Sequence, residues 1–277
     1  QLILAENAVA EGKLDEGKAA FLKIVEDEQV STTLRKNALS HLIRLELTRQ
    51  SWSEVSRWSA VFAEKYPADP FRYDAERYLA EALLFQNKDS EAEKILSRLY
   101  DQRDEPLMKA VPWRPQLWIL LAEASVRQKN YERVDSLAAE LATVEGAEPF
   151  RYQMHEILGR SLKNRAKFAE ARAAYQSAID DKYGQKTETA AKSQFYLGEI
   201  SVLQKDYETA LEEFLKVYLL YKFPKWQAPA LYQAGQCDER LEHFDKALTS
   251  YEDLLRDFPE SEFAPLAQKR ITALKQK

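Results

Sequence analysis

The chain has 277 residues, 45% of them hydrophobic and 31% charged, and a formal net charge of −5. This mildly acidic balance argues against a general nucleic-acid surface, which needs a basic stripe, and Cys237, the single cysteine, rules out an intrachain disulfide. No stretch approaches the ~20 apolar residues of a membrane span.

Taken in chain order, the predicted elements obey one register. Leu2, Ile3 and Leu4 open a first helix around Ala5, and a second follows around Gly17. The same first-helix position recurs at Ile43, Ala80, Ala122, Gly159, Gly198 and Gly235, at spacings of 38, 37, 42, 37, 39 and 37 residues. Twelve residues after each stand Gly17, Val55, Ala92, Val134, Ala171, Ala210 and Ala247. Nine residues after it stand Leu14, Trp52, Asp89, Tyr131, Phe168, Tyr207 and Phe244; nineteen after it every residue is apolar. Periods of this length indicate a solenoid of helical hairpins, each with two helices of ordinary length. Helices that pack at the near end of the 8–10 Å range need a small residue where they cross, so three of the seven glycines are read as packing residues. The aromatic four residues after the second small position is expected to fill the space between one hairpin and the next. No sustained period-two alternation occurs, so no sheet is expected.

The ten prolines are expected between units or in first turns, none inside a helix. Two irregular segments interrupt the pattern. Asp101 to Pro115 lengthens one spacing and carries Trp113; Lys222 to Pro229 carries Trp226. Both tryptophans are candidate loop contacts for a partner, or else staples folded over neighbouring helices. Trp52, Trp58 and Trp118 lie in a helical frame and are expected in the core. A last amphipathic helix over 262–275 is expected to cap the array. Cys237 is expected to be a packed structural thiol.

Leu158-Gly159, Ala171 and Tyr175, then Leu197-Gly198, Ala210 and Phe214, then Leu231, Gly235, Ala247, Tyr251 and Pro259 carry a recognisable pattern. It resembles the tetratricopeptide repeat (TPR) family. The resemblance implies an all-α, right-handed superhelical solenoid of about seven TPR-like hairpins plus the C-terminal capping helix. It implies a single domain over residues 1–277, with weaker repeats over 1–148 and clear ones over 149–260. The alternative for the first four units is generic helical hairpins.

In that family the first helices line a concave face that binds a protein or peptide. The side chains this places there are Arg44, Arg77, Glu81, Glu123, Arg127, Glu156, Arg160, Glu199, Tyr232, Gln236 and Arg240. Arginine forks onto carboxylates, which suits an interface; the same residues could instead bridge to one another between units. The lysine–asparagine–asparagine–lysine–arginine set with which co-chaperone members hold a terminal carboxylate is absent from the matching places. The closing run Tyr251, Leu255, Asp257-Phe258-Pro259, Ser261, Ala264 and Ala267-Gln268-Lys269-Arg270 is similar to bacterial cell-envelope members of the Tol-Pal-associated and outer-membrane-assembly type. That likeness implies a periplasmic or envelope-associated docking role, the alternative being cytoplasmic.

No chemistry competes with this reading. His41, His155 and His243 sit in separate units, none with a second histidine at metal-ligand spacing. There is neither a phosphate loop nor a nucleophile elbow. The expectation is a non-catalytic scaffold without cofactor or metal. A self-assembling structural protein, or an accessory region of a larger protein, stands as the alternative. The chain starts at Gln1 without a methionine and is read as a mature or trimmed fragment; oligomeric state is left open.

Overall fold

The computed structural model describes residues 1–276, and all regular structure among them is helical. The chain divides into two compact units, Gln1–Asn130 and Tyr131–Lys277. The first contains α1 (Leu2–Ala10), α2 (Leu14–Glu26), α3 (Thr32–Thr48), α4 (Trp52–Lys65), α5 (Arg72–Phe85), α6 (Asp89–Asp101), a short α7 (Pro106–Lys109) and α8 (Gln116–Arg127). Consecutive helices pair as hairpins: α1 with α2, α3 with α4, α5 with α6, and α8 lies against α6. The second unit contains α9 (Tyr131–Leu141), a single 3-10 turn (Glu148–Phe150), α10 (Arg151–Asn164), α11 (Phe168–Asp180), α12 (Glu188–Leu203), α13 (Tyr207–Leu220), α14 (Pro224–Arg240), α15 (Phe244–Asp257) and α16 (Ala264–Leu274). Here α10/α11, α12/α13 and α14/α15 are the hairpins, and α16 covers α15. Each unit is thus a helical-repeat array, and the expected capping helix is α16.

Glycine at the crossing has a direct steric cause. A Cβ built on Gly159 would stand 2.5 Å from the Tyr175 ring, on Gly198 2.7 Å from Phe214, and on Gly235 2.5 Å from Tyr251. The aromatic of each second helix therefore lies on the glycine of its own hairpin. It also reaches forward as expected: Tyr175 packs on Tyr196 of α12 at 5.4 Å, and Phe214 clusters with Ala230 and Ala234 of α14. All three rings are fully buried.

Seven residues after each crossing position the chain turns between helices with a positive φ. The residues are Gly12, Gln50, Asn87, Lys129, Ala166, Lys205 and Glu242, at φ between 54° and 79°. This left-handed step closes the first helix of each pair, and in each case the next amide returns to a helix carbonyl, as Lys88 N to Leu83 O at 2.9 Å and Lys167 N to Leu162 O at 3.0 Å.

Three expectations need correction. Pro229 lies inside α14, as its sixth residue, and is buried. The helix begins earlier than the sequence implied because Pro224 occupies its first turn. For the same reason Trp226 is in the first turn of α14 and not on a loop. The Asp101–Pro115 segment is not wholly irregular either, since α7 inserts there and buries Met108 completely.

Candidate interaction surface

In the second unit, first helices touch one another, α10 with α12 and α12 with α14, whereas no two second helices reach comparable contact among the described residues. One side of the unit is therefore walled by first helices. In the first unit α1 meets α3, and α5 meets α8, in the same way.

Most of the charged residues expected on these walls are already engaged. Arg77 donates to Glu81 at 2.7 Å, Arg127 to Glu123 at 2.6 Å, and Arg160 lies 2.8 Å from Glu156. Each is an i,i+4 pair on a single helix, a geometry that sequence spacing encodes. Bridges between hairpins add to them. Lys192 reaches Glu156 at 3.1 Å, Lys163 reaches Glu199 at 2.5 Å, and Arg127 also donates to the Leu84 carbonyl at 2.7 Å. Glu156 is 4% exposed, so its two cations offset the cost of burying a carboxylate. Burial outweighs Arg77 at Glu81 and holds that carboxyl above the ordinary carboxylate range.

The remaining expected residues divide. Arg44 is exposed and covers the Phe71 ring at 5.1 Å. Tyr232 is packed between the rings of Tyr251 and Phe263, at 5.8 and 5.6 Å. Trp113 is 9% exposed; its indole donates to Asp74 at 2.9 Å under the Arg77 guanidinium, so it is a staple. Trp226 donates to Glu188 at 3.0 Å and packs on Phe195 and Tyr196, also as a staple between helices.

Arg240 is exposed and Gln236 half-buried. They line a cavity of about 270 Å³ with Val202, Tyr207, Gln233, Cys237, Glu239 and Arg270. A second cavity of about 250 Å³, lined by Glu199, Val202, Leu203, Phe214 and Gln233, shares two of those walls. Together they form a groove between α12 and α14. Arg240 is exposed, covers the Tyr207 ring at 6.0 Å, and makes no ion pair with a carboxylate among the described residues. Arg270 of α16 closes the far side, its Nε donating to Glu239 at 2.8 Å; that carboxylate also accepts from Tyr251 at 2.6 Å. Cys237 forms part of the floor, and burial pushes its thiol up to about 12, which leaves it protonated and unreactive. Gln233, Arg270 and Leu203 escaped the sequence reading. Gln233 is two residues before a crossing position, a register filled by rings in α3 and α12, so its amide is legible only as a departure from the repeat. Arg270 arrives from a different element.

Elsewhere, a cavity of about 380 Å³ opens between α1 and α3, where His41 Nε2 stands 3.1 Å from Glu6 and stacks on Phe21. An apolar cleft of about 480 Å³ lies between α9 and α10, lined by Ala138, Ala139, Met154, His155 and Leu158 among others. Among the described residues no cluster of three or more His, Cys, Asp or Glu is placed to hold a metal ion, and no helix is long and apolar enough to cross a membrane.

Comparison with known proteins agrees with this geometry. Residues 157–229 and 229–261 each match a family model described as Tetratricopeptide repeat. The stretch from 157 to 261 is therefore a run of tetratricopeptide repeats. The whole fold is similar to several solved structures. A tetratricopeptide repeat protein from Parabacteroides merdae superposes with a TM-score of 0.64 at 10% identity, over 99% of this chain and 97% of that one. The apo form of the quorum sensor NprR from B. thuringiensis gives 0.66 at 12% identity, over 99% and 78%. Pseudomonas aeruginosa pilF gives 0.57 at 16% identity, over 84% and 96%. At such identities the likeness is one of fold alone. No curated protein matches the sequence.

Proposed function

We propose that the protein is a non-catalytic docking scaffold, and that the groove between α12 and α14 holds a segment of a partner protein carrying an acidic side chain. The observation that carries this reading is Arg240. Its counterparts Arg77, Arg127 and Arg160 are each matched to a glutamate on their own helix, whereas Arg240 faces the groove without one. A guanidinium of this kind forks onto a carboxylate. Gln233 and Gln236 beside it offer both a donor and an acceptor to an extended backbone, and Val202 and Leu203 supply apolar walls. The test is selection of a random dodecapeptide display library on the purified protein. Acidic sequences should be enriched, and Arg240→Glu should weaken the selected peptide at least about tenfold, the scale of one lost charge-assisted contact. Arg77→Ala should leave it unchanged. Equal binding by the Arg240→Glu protein would refute the groove.

The finer placement, in bacterial envelope assembly or maintenance, is supported by the closing motif from Tyr251 to Arg270. The full reading frame tests it: an export signal or a lipid-attachment cysteine ahead of Gln1 is expected, and a cytoplasmic start would overturn it. Self-assembly is a second reading, favoured by Leu219 and Leu220 at the end of α13, which are 71% and 65% exposed. Sedimentation showing a concentration-independent monomer would remove it.

A further inference from the structure

Helix α1 exposes apolar side chains at positions that are buried or half-buried in the other first helices. Ile3 and Leu4 are each 70% exposed, and Asn7 one turn on also faces outward. Leu4 stands one residue before the crossing position Ala5, and Asn7 two after it. In α12 those positions are Leu197 and Ile200, clustered with Ala171 and Tyr175 of the preceding helix α11. In α14 they are Ala234 and Cys237, clustered with Ala210 and Phe214 of α13. In α3 they are Leu42 and Leu45, clustered with Phe21 and Ile24 of α2. The place of Ile3 is taken in α3 by His41, whose ring stacks on Phe21 at 5.6 Å, and in α12 by Tyr196, 5.4 Å from Tyr175. In these cases the seat receives a second helix with a small residue and, four positions later, an aromatic: Gly17 and Phe21, Ala171 and Tyr175, Ala210 and Phe214.

The opposite end of the second unit is finished differently. α16 buries Ala264, Ala267 and Ile271 against α15 and turns Gln268, Lys269, Thr272 and Lys275 to solvent, with Leu266 as the one large apolar side chain beside them among the described residues. A polar outer face is what a terminal cap needs, and it is a poor match for the apolar face of α1 in a second copy. Each filled seat named above is filled by the helix just ahead of it in the same chain. We infer that Ile3, Leu4 and Asn7 seat the second helix of a further hairpin, carried by the same polypeptide ahead of Gln1 and presenting an apolar face to them.

The experiment compares the 277-residue chain with the natural polypeptide extended upstream by one repeat length, 37–42 residues. Amide exchange in α1 should be roughly tenfold slower or more in the longer protein, as expected when a fraying terminal element becomes an internal one. Leu4→Lys should leave the melting temperature of the 277-residue chain unchanged and lower that of the longer protein. Three results would each overturn the inference: unchanged α1 exchange, an equal effect of Leu4→Lys in both proteins, or an upstream sequence without an amphipathic helix. A 277-residue chain that sediments as a dimer, and as a monomer once Leu4→Lys is made, would assign the seat to a second copy instead.

Discussion

A methyl group on Gly159 would meet the Tyr175 ring at 2.5 Å, closer than carbon atoms approach without something shifting. Removing a mid-helix glycine ordinarily gains up to about 1 kcal/mol in helix propensity. Against a fully buried ring the overpacking term is larger, and Gly159→Val is expected to cost a net ~1–3 kcal/mol by urea denaturation. The glycine was legible in the sequence; the ring that enforces it was misassigned in part, because spacing alone does not say whether an aromatic lies on its own hairpin or on the next. His155 yields a prediction that rests chiefly on burial. Desolvation is the main cause that lowers its pKa below 6.5, aided by Arg151 and opposed by Ser177 and Asp181. In the unfolded chain the imidazole takes its proton first as pH falls, so stability is lost as pH drops from about 6.5 toward the depressed value. Glu81 and Asp238, raised by burial, act in the opposite sense in the carboxylate range, gaining stability as they protonate. Comparing urea midpoints of the protein and of His155→Gln between pH 7.5 and 5.5 isolates the histidine, and the variant should show the flatter profile.

At the scale of the element, the inter-helix turn is the feature the sequence concealed. A left-handed residue recurs seven positions after each crossing residue, yet glycine occupies only the first of those positions and asparagine one other. The repeat is conformational rather than chemical, so residue identity does not announce it. For a residue with a Cβ the left-handed region costs roughly 1–2 kcal/mol. Ala166→Gly, Lys205→Gly and Glu242→Gly should each therefore raise stability, by up to about 1 kcal/mol, whereas Gly12→Ala should lower it by a similar amount. Guanidinium denaturation of the four variants decides the matter. Helix starts were the other blind spot. Pro224 and Pro229 suggested a connecting loop, but a proline in the first turn leaves the helix intact and only Pro229 forfeits a bond.

For the whole molecule, stability is carried by contacts between neighbouring hairpins, as in other repeat arrays. The end of the second unit then depends on α16, whose Ala264, Ala267 and Ile271 complete the cluster around Ala247, Tyr251 and Leu254. Deleting residues 262–277 should expose that apolar face, speed amide exchange through α15 above all other helices, and raise binding of a hydrophobic dye. Unchanged protection of α15 would show that the hairpin is stable without its cap. The interaction surface is limited in a similar way: side chains on the first-helix walls are available to a partner only where neither their own helix nor the neighbouring hairpin claims them, which leaves Arg44, Gln233, Gln236 and Arg240 and withdraws Arg77, Arg127 and Arg160.

The sequence by itself determined the helical hairpins, their period, the crossing glycines and the capping helix. Each of these follows from short-range spacing, in which size and polarity repeat along the chain and decide how adjacent helices meet. Only the tertiary structure decided that Lys192 and Lys163 bridge to glutamates of neighbouring hairpins, that Trp113 and Trp226 serve as staples, and that Ile3 and Leu4 are uncovered. Those outcomes depend on which side chains from hairpins some 37–42 residues apart reach one another, and ion pairing and burial at that distance are not encoded in any local pattern.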